Sequence, residues 1–292
     1  MTINRRQFGL TLAAAALPVL AAGLAQAQTL TEVWRTSGFA APESAWFDAG
    51  SNQIIVSNIG GFGPDTGMDG KLSLMGTDGA VINADWITGL MDPKGMASSG
   101  GVLYVADAPG LVVIDIASGT VTQTVPVEGA MLLNDVTIGP DGAVYVTDML
   151  AGGIVKYADG AASWLIAPGG ISLPNGILWD NDALVVGSFG EGMQADMSVT
   201  TAGGLMTVDP ATGAVTPIEA TAVSGSVDGI ARLGDLLIYD DNPTGHLMAV
   251  GADGALAHIG MGEAGAADLG IAGDLVVVPY MYAGTIAAYR VE

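Results

Sequence analysis

No cysteine occurs among the 292 residues of this chain. Disulfides, zinc–thiolate centres, iron–sulfur clusters and a cysteine nucleophile are therefore excluded. Histidine is almost absent as well. His246 and His258 are the whole supply, so a zinc or copper site is hard to assemble, and both read as structural residues of outer strands. Basic residues number 8 against 30 acidic ones, for a formal net charge of −22. Such a surface repels nucleic acid and anionic lipid, and it suits an exported protein that must stay soluble. Helical periodicity is scarce. After residue 24 no charge-free apolar stretch reaches the roughly 18 residues of a membrane span, which argues against a transmembrane helix beyond the N-terminus.

The N-terminus itself is patterned. Asn4-Arg5-Arg6-Gln7-Phe8-Gly9-Leu10 is a twin-arginine motif, an apolar run extends from Leu10 to Leu24, and Ala25-Gln26-Ala27 is a small-residue cleavage site. Residues 1–27 read as a twin-arginine export signal, which places the protein in the periplasm or otherwise outside the cytoplasm. Residues 28–292 read as one domain. Loss of Arg5 and Arg6 with the leader makes that domain more acidic still.

The 44 glycines suit an all-β fold with many tight turns. Six segments share one grammar, a polar residue running into a short apolar strand: Pro42-Glu43-Ser44-Ala45-Trp46, Pro93-Lys94-Gly95-Met96, Leu133-Asn134-Asp135-Val136, Pro174-Asn175-Gly176-Ile177, Val227-Asp228-Gly229-Ile230 and Ala267-Asp268-Leu269-Gly270. The leading polar residues are 51, 40, 41, 53 and 40 positions apart. A period of about 40–50 residues built from short strands predicts a six-bladed β-propeller. The chain ends straight after the third strand of blade six, while an orphan segment, Leu30–Thr36, follows the leader. That segment is expected to supply the missing fourth strand, because an open inner edge is a liability.

In a propeller the first strand of each blade faces the axis, so the six polar residues line one funnel. Glu43, Asn134, Asn175 and Asp228 are oxygen donors of the kind a hard cation prefers. One Asn-Gly or Asp-Gly pair alone carries no weight, being an ordinary turn signal. Four such donors at one phase of a repeat do carry weight. The longer loops Ile59–Gly70 and Gly187–Gly203 flank the same mouth, with Phe62, Met68, Phe189, Met193 and Met197 as pocket candidates. Most of the 13 methionines are scattered, as core filling would have them.

Glu43 with Trp46, Asn134-Asp135, Pro174-Asn175-Gly176 and Asp228-Gly229 resemble the calcium-site pattern of the gluconolactonase/regucalcin family of six-bladed propellers. The wider group includes diisopropylfluorophosphatase and, more distantly, the paraoxonases. The resemblance spans nearly all of the chain after the leader. It implies a divalent metal, Ca²⁺ or another hard cation, held by Glu43, Asn175 and Asp228, with Asn134 as a ligand or substrate anchor. Two departures stand out. Leu132 occupies the position where sugar-lactone members often carry an arginine, and the histidine dyad of paraoxonases has no counterpart. Lys94 and Asp268 look like a less characterised exported branch.

The resemblance implies metal-assisted hydrolysis of a small-molecule lactone or ester, with Asp228 as catalytic base. Asp268 is the alternative base by position, and Lys94 is expected to bind a substrate carboxylate or to screen Asp268. Two other readings stay open: a non-enzymatic binding propeller with a structural metal, and phosphotriester hydrolysis at the same metal.

Overall fold

Ile54-Ile55-Val56, Leu184-Val185-Val186 and Leu275-Val276-Val277-Val278 are apolar without alternation. A strand of that kind needs cover on both faces. The computed structural model describes residues 28–61, 67–108 and 110–292 and shows what covers them. Six four-stranded antiparallel sheets form the blades of a β-propeller, arranged in a ring. The expected leader lies outside the described residues, as does Phe62. Among the described residues no helix is long and apolar enough to cross a membrane.

Apolar clusters fill the seams between neighbouring blades. Ile55 packs with Leu103 and Val105 across the seam between blades one and two. Ile54 and Val56, on the opposite face of the same strand, pack with Val277 and Ile286 of blade six. Each fully buried side chain of this size contributes about 1.5–3 kcal/mol, so the ring is held chiefly by its seams.

The inner strands are Pro42–Asp48, Met96–Ser99, Leu133–Ile138, Pro174–Asp180, Val227–Leu233 and Gly270–Ala272. Blade six is completed from the opposite end of the described chain, as the sequence predicts. Leu30–Ser37 pairs antiparallel with Thr285–Val291, from Leu30↔Val291 to Ser37↔Thr285. Arg35 fixes the strand, with nitrogens 2.7 Å from both Glu32 and Glu263 and a 3.0 Å hydrogen bond to Tyr289 Oη. Trp34 Nε1 donates to the Thr77 carbonyl at 3.0 Å and Thr36 Oγ1 to that of Gly79 at 2.7 Å. The strand thus also laces blade six to blade one.

Of the expected pocket residues in the long loops, Phe189 is buried, whereas Met68 and Met197 are exposed. The second long loop folds back on itself, Gly190–Glu191 pairing with Thr201–Ala202.

Candidate metal centre

Four of the six inner strands carry one residue more than their partners. The register slips between Pro42 and Ser44, between Leu133 and Val136, between Pro174 and Ile177, and between Val227 and Ile230. Each slip contains one of the sequence-predicted ligands: Glu43, Asn134, Asn175 and Asp228. A bulge re-aims a side chain and frees backbone amides that must find other partners. In blades one, three and five, polar residues of the adjacent second strand accept them, whereas in blade four Ile177 N donates to Asp135 Oδ2 of blade three at 2.7 Å. Ser44 N donates to Ser57 Oγ at 2.9 Å and Asp135 N to Thr147 Oγ1 at 3.0 Å. Asp228 N and Gly229 N both donate to Asp240 Oδ1, at 3.2 and 3.1 Å.

The glycines beside the ligands make close approach possible. A Cβ at Gly176 would stand 2.1 Å from the Asp228 carbonyl oxygen, and one at Gly229 would stand 2.3 Å from Leu269 N. Asn-Gly and Asp-Gly, ordinary turn pairs elsewhere, here lie within inner strands that press on their neighbours.

All four bulged residues are buried, and each presents an oxygen with no hydrogen-bond partner: Glu43 Oε2, Asn134 Oδ1, Asn175 Oδ1 and Asp228 Oδ1. One buried unsatisfied polar atom costs about 1–3 kcal/mol, so four together need an explanation. Asp240 Oδ2 is the one other such atom among the described residues. The four residues are neighbours. Asn134 Nδ2 and Asn175 Nδ2 both donate to Met149 Sδ, at 3.8 and 4.0 Å. The Asn175 amide favours the charged form of Asp228, whose charge in turn acts on Glu43. Asn242 Nδ2 holds Asp228 Oδ2 at 2.9 Å and leaves Oδ1 as the orphan.

Negative charge is concentrated here. Burial, then Asp228, raises the Glu43 carboxyl well above its usual range. Burial and then Asp268 push Asp228 up to about 7. Burial also pushes Asp268 up to about 7, against the Ser44 hydroxyl that donates to its Oδ2 at 2.5 Å. Asp135 and Asp240 are raised by burial, followed by the charges of Asp268 and Asp228 respectively. The opposing cation is Lys94, also buried. Its ammonium is 2.7 Å from Asp92 rather than paired with Asp268, but its field still favours the charged forms of Glu43 and Asp228.

This donor set fits a hard divalent cation. Calcium accepts carboxylate and amide oxygens together, and buried carboxylates in excess of positive charge take up protons unless a cation neutralises them. Among the described residues no group of three or more His, Cys, Asp or Glu side chains is placed to hold a metal. The candidate set has only two carboxylates and depends on the two asparagine amides.

The axial channel contains a cavity of about 210 Å³, lined by Asp135 and Asp268 and by Trp46, Thr137, Leu178 and Ile271. The four candidate ligands are not part of its wall. Asp268 therefore sits between two surroundings, hydrogen-bonded to the blade-one residue beside Glu43 and lining the channel. Sequence reading quoted Asp135 beside Asn134 without giving it a role, and missed Asp240, Met149, Ser57 and Thr147. A detectable signal for Ser57, Thr147 and Asp240 is that each opens a pair of polar residues closing a largely apolar strand.

No protein-family model matches the chain, and no curated protein matches it. Solved structures do. A proposed gluconolactonase is 16% identical over 91% of this chain and 92% of its own, with a TM-score of 0.65. A streptogramin B lyase is 12% identical over 91% and 98%, with a TM-score of 0.63. A catalytically inactive histidine-to-alanine variant of virginiamycin B lyase from Staphylococcus aureus, with quinupristin, is 15% identical over 90% and 99%, with a TM-score of 0.59. At these identities the likeness is one of fold.

Proposed function

We propose that this chain is a divalent-cation-dependent hydrolase of a lactone or ester, with Ca²⁺ held by Glu43, Asn134, Asn175 and Asp228. One observation carries the reading: four strand bulges each present one buried, unpartnered oxygen. A bound cation supplies positive charge that polarises a carbonyl and offsets the charge developing on its oxygen. The chain's own residues do the rest. Asp228, oriented through Oδ2 by Asn242, is the carboxylate assigned to take a proton from the attacking water. Asp268 is held by Ser44 at the head of the channel, where it serves as a substrate contact or the alternative base. Lys94 contributes positive field at the axis, and Asn134 anchors substrate where it does not bind the cation. The fold shared with a proposed gluconolactonase supports this chemistry. The leader read in residues 1–27 assigns the activity, in this proposal, to the periplasm or beyond.

A second reading has an observation of its own. Glu43, Asn134, Asn175 and Asp228 are each at most 5% exposed, as suits a cation that pins the ring together in a binding propeller. A panel of lactones, esters and phosphotriesters, assayed with and without chelator, separates the two. The hydrolase reading expects turnover on a lactone or ester that chelation abolishes and calcium restores. Turnover that survives chelation refutes it. A calcium-stabilised protein with no turnover on any substrate supports the binding propeller. Turnover confined to phosphotriesters keeps the metal centre and changes the substrate class.

A further inference from the structure

The two histidines lie side by side on one hairpin, and two methionines accompany them. The outer hairpin of blade five pairs His246–Val250 with Leu256–Met261. Its register runs His246↔Met261, Leu247↔Gly260, Met248↔His258 and Ala249↔Ala257, with a slip between Leu247 and Met248. In an unbroken strand, residues 258 and 261 would point to opposite faces. The slip absorbs Ile259 and turns His258 and Met261 to one face. That face also carries His246 and Met248. Packing agrees: Leu247, Ala249 and Ile259 fill the seam toward blade six, whereas Met248 and Leu256 lie toward blade four.

The hairpin thus brings both histidines of the protein together with two of its methionines. The imidazole centroids are 4.7 Å apart and their planes are inclined at 78°. Two imidazoles on one cation, at bonds of about 2.0–2.1 Å, place their centroids on the order of 5 Å apart. Met261 is opposite His246 and Met248 opposite His258, and paired side chains of adjacent strands start about 4.5–5.5 Å apart at Cβ. His258 is exposed and Met261 is 68% exposed, so both are open to an ion from solvent. Thioethers with imidazoles make a soft donor set, which selects Cu(I) over zinc or calcium.

We propose that His246, Met248, His258 and Met261 form a copper(I) site on the blade-four side of the outer hairpin of blade five. The site is distinct from the axial oxygen cluster and does not depend on the hydrolase reading.

The test is anaerobic competition for Cu(I) against a chromophoric chelator, bicinchoninate, with the reducing agent ascorbate present. The parent protein should withhold one Cu(I) per chain. His246→Ala and His258→Ala should each weaken that binding at least about tenfold, the scale on which metal sites lose affinity when their shell is broken. Met248→Leu with Met261→Leu preserves bulk, so it should weaken Cu(I) binding while leaving Zn²⁺ binding by the histidine pair unchanged. Thermal melting checks that each variant is folded, and calcium binding should not change in any of them. A parent that withholds no copper overturns the site, as does undiminished binding by the His246→Ala/His258→Ala double variant. Parental Cu(I) affinity in the double leucine variant overturns the thioether ligands.

Discussion

Asn134 and Asn175, on neighbouring blades, turn their amide nitrogens onto the same sulphur, that of Met149. Both carbonyl oxygens are thereby left buried and unpaired. Met149 sets which end of each amide is offered to a cation. Met149→Leu conserves volume and should cost less than about 1.5 kcal/mol of stability. It frees the Asn134 amide and loosens that of Asn175, which Asp228 also holds, so calcium affinity should fall by about tenfold, the scale seen when outer-shell partners of a metal site are lost. Calcium titration beside a melting curve of the chelated protein measures both effects. Unchanged affinity would show that the sulphur orients nothing.

Asp228 is expected to combine charge, ligation and basicity. Asp228→Asn keeps an oxygen and loses the charge and the base; Asp228→Ala loses all three. The asparagine variant should retain more calcium binding than turnover, and the alanine variant should lose both. Equal retention of turnover and binding in the asparagine variant would remove Asp228 from the role of base.

The closing strand makes a separate prediction. Removing residues 28–36 takes away the partner of Thr285–Val291 and the Arg35 and Trp34 links. Stability should drop by several kcal/mol, a large share of the roughly 5–15 kcal/mol typical of a folded protein. A truncated chain that melts with the parent would show that the strand is dispensable.

Without calcium, Asp228 and Asp268 should hold protons up to about pH 7, because burial lifts both above the usual carboxylate range. The folded chain then binds protons more tightly than the unfolded chain. The stability this contributes is fully present below about pH 4 and is lost as pH rises through about 7. Chelated protein should therefore melt at a lower temperature at about pH 8 than at about pH 5.5. Saturating calcium should remove most of the difference at the higher pH. A chelated protein that melts alike at both would contradict the buried negative charge.

Much of this was legible in the chain, for identifiable reasons. The seams cover both faces of the middle strands, so Ile54-Ile55-Val56 had to be continuously apolar. Glu43, Asn134, Asn175 and Asp228 recur at one phase because the ring repeats. The bulges were not legible: an extra residue shows only in the register between strands, and Gly176 and Gly229 imitate turns. Met149 was hidden because a buried methionine in an apolar fold looks like filling. His246, Met248, His258 and Met261 were hidden for a related reason, since a spacing of three within one strand conceals a shared face until the slip at Ile259 is seen.

The most direct measurement is calorimetric titration of Ca²⁺ into chelated protein, for the parent and for Asn175→Ala. The parent should bind one calcium ion per chain at the axis, and Asn175→Ala, which removes one of the four orphaned oxygens, should bind it far more weakly. A parent that takes up no calcium, or an Asn175→Ala variant that binds it as the parent does, would contradict the metal centre.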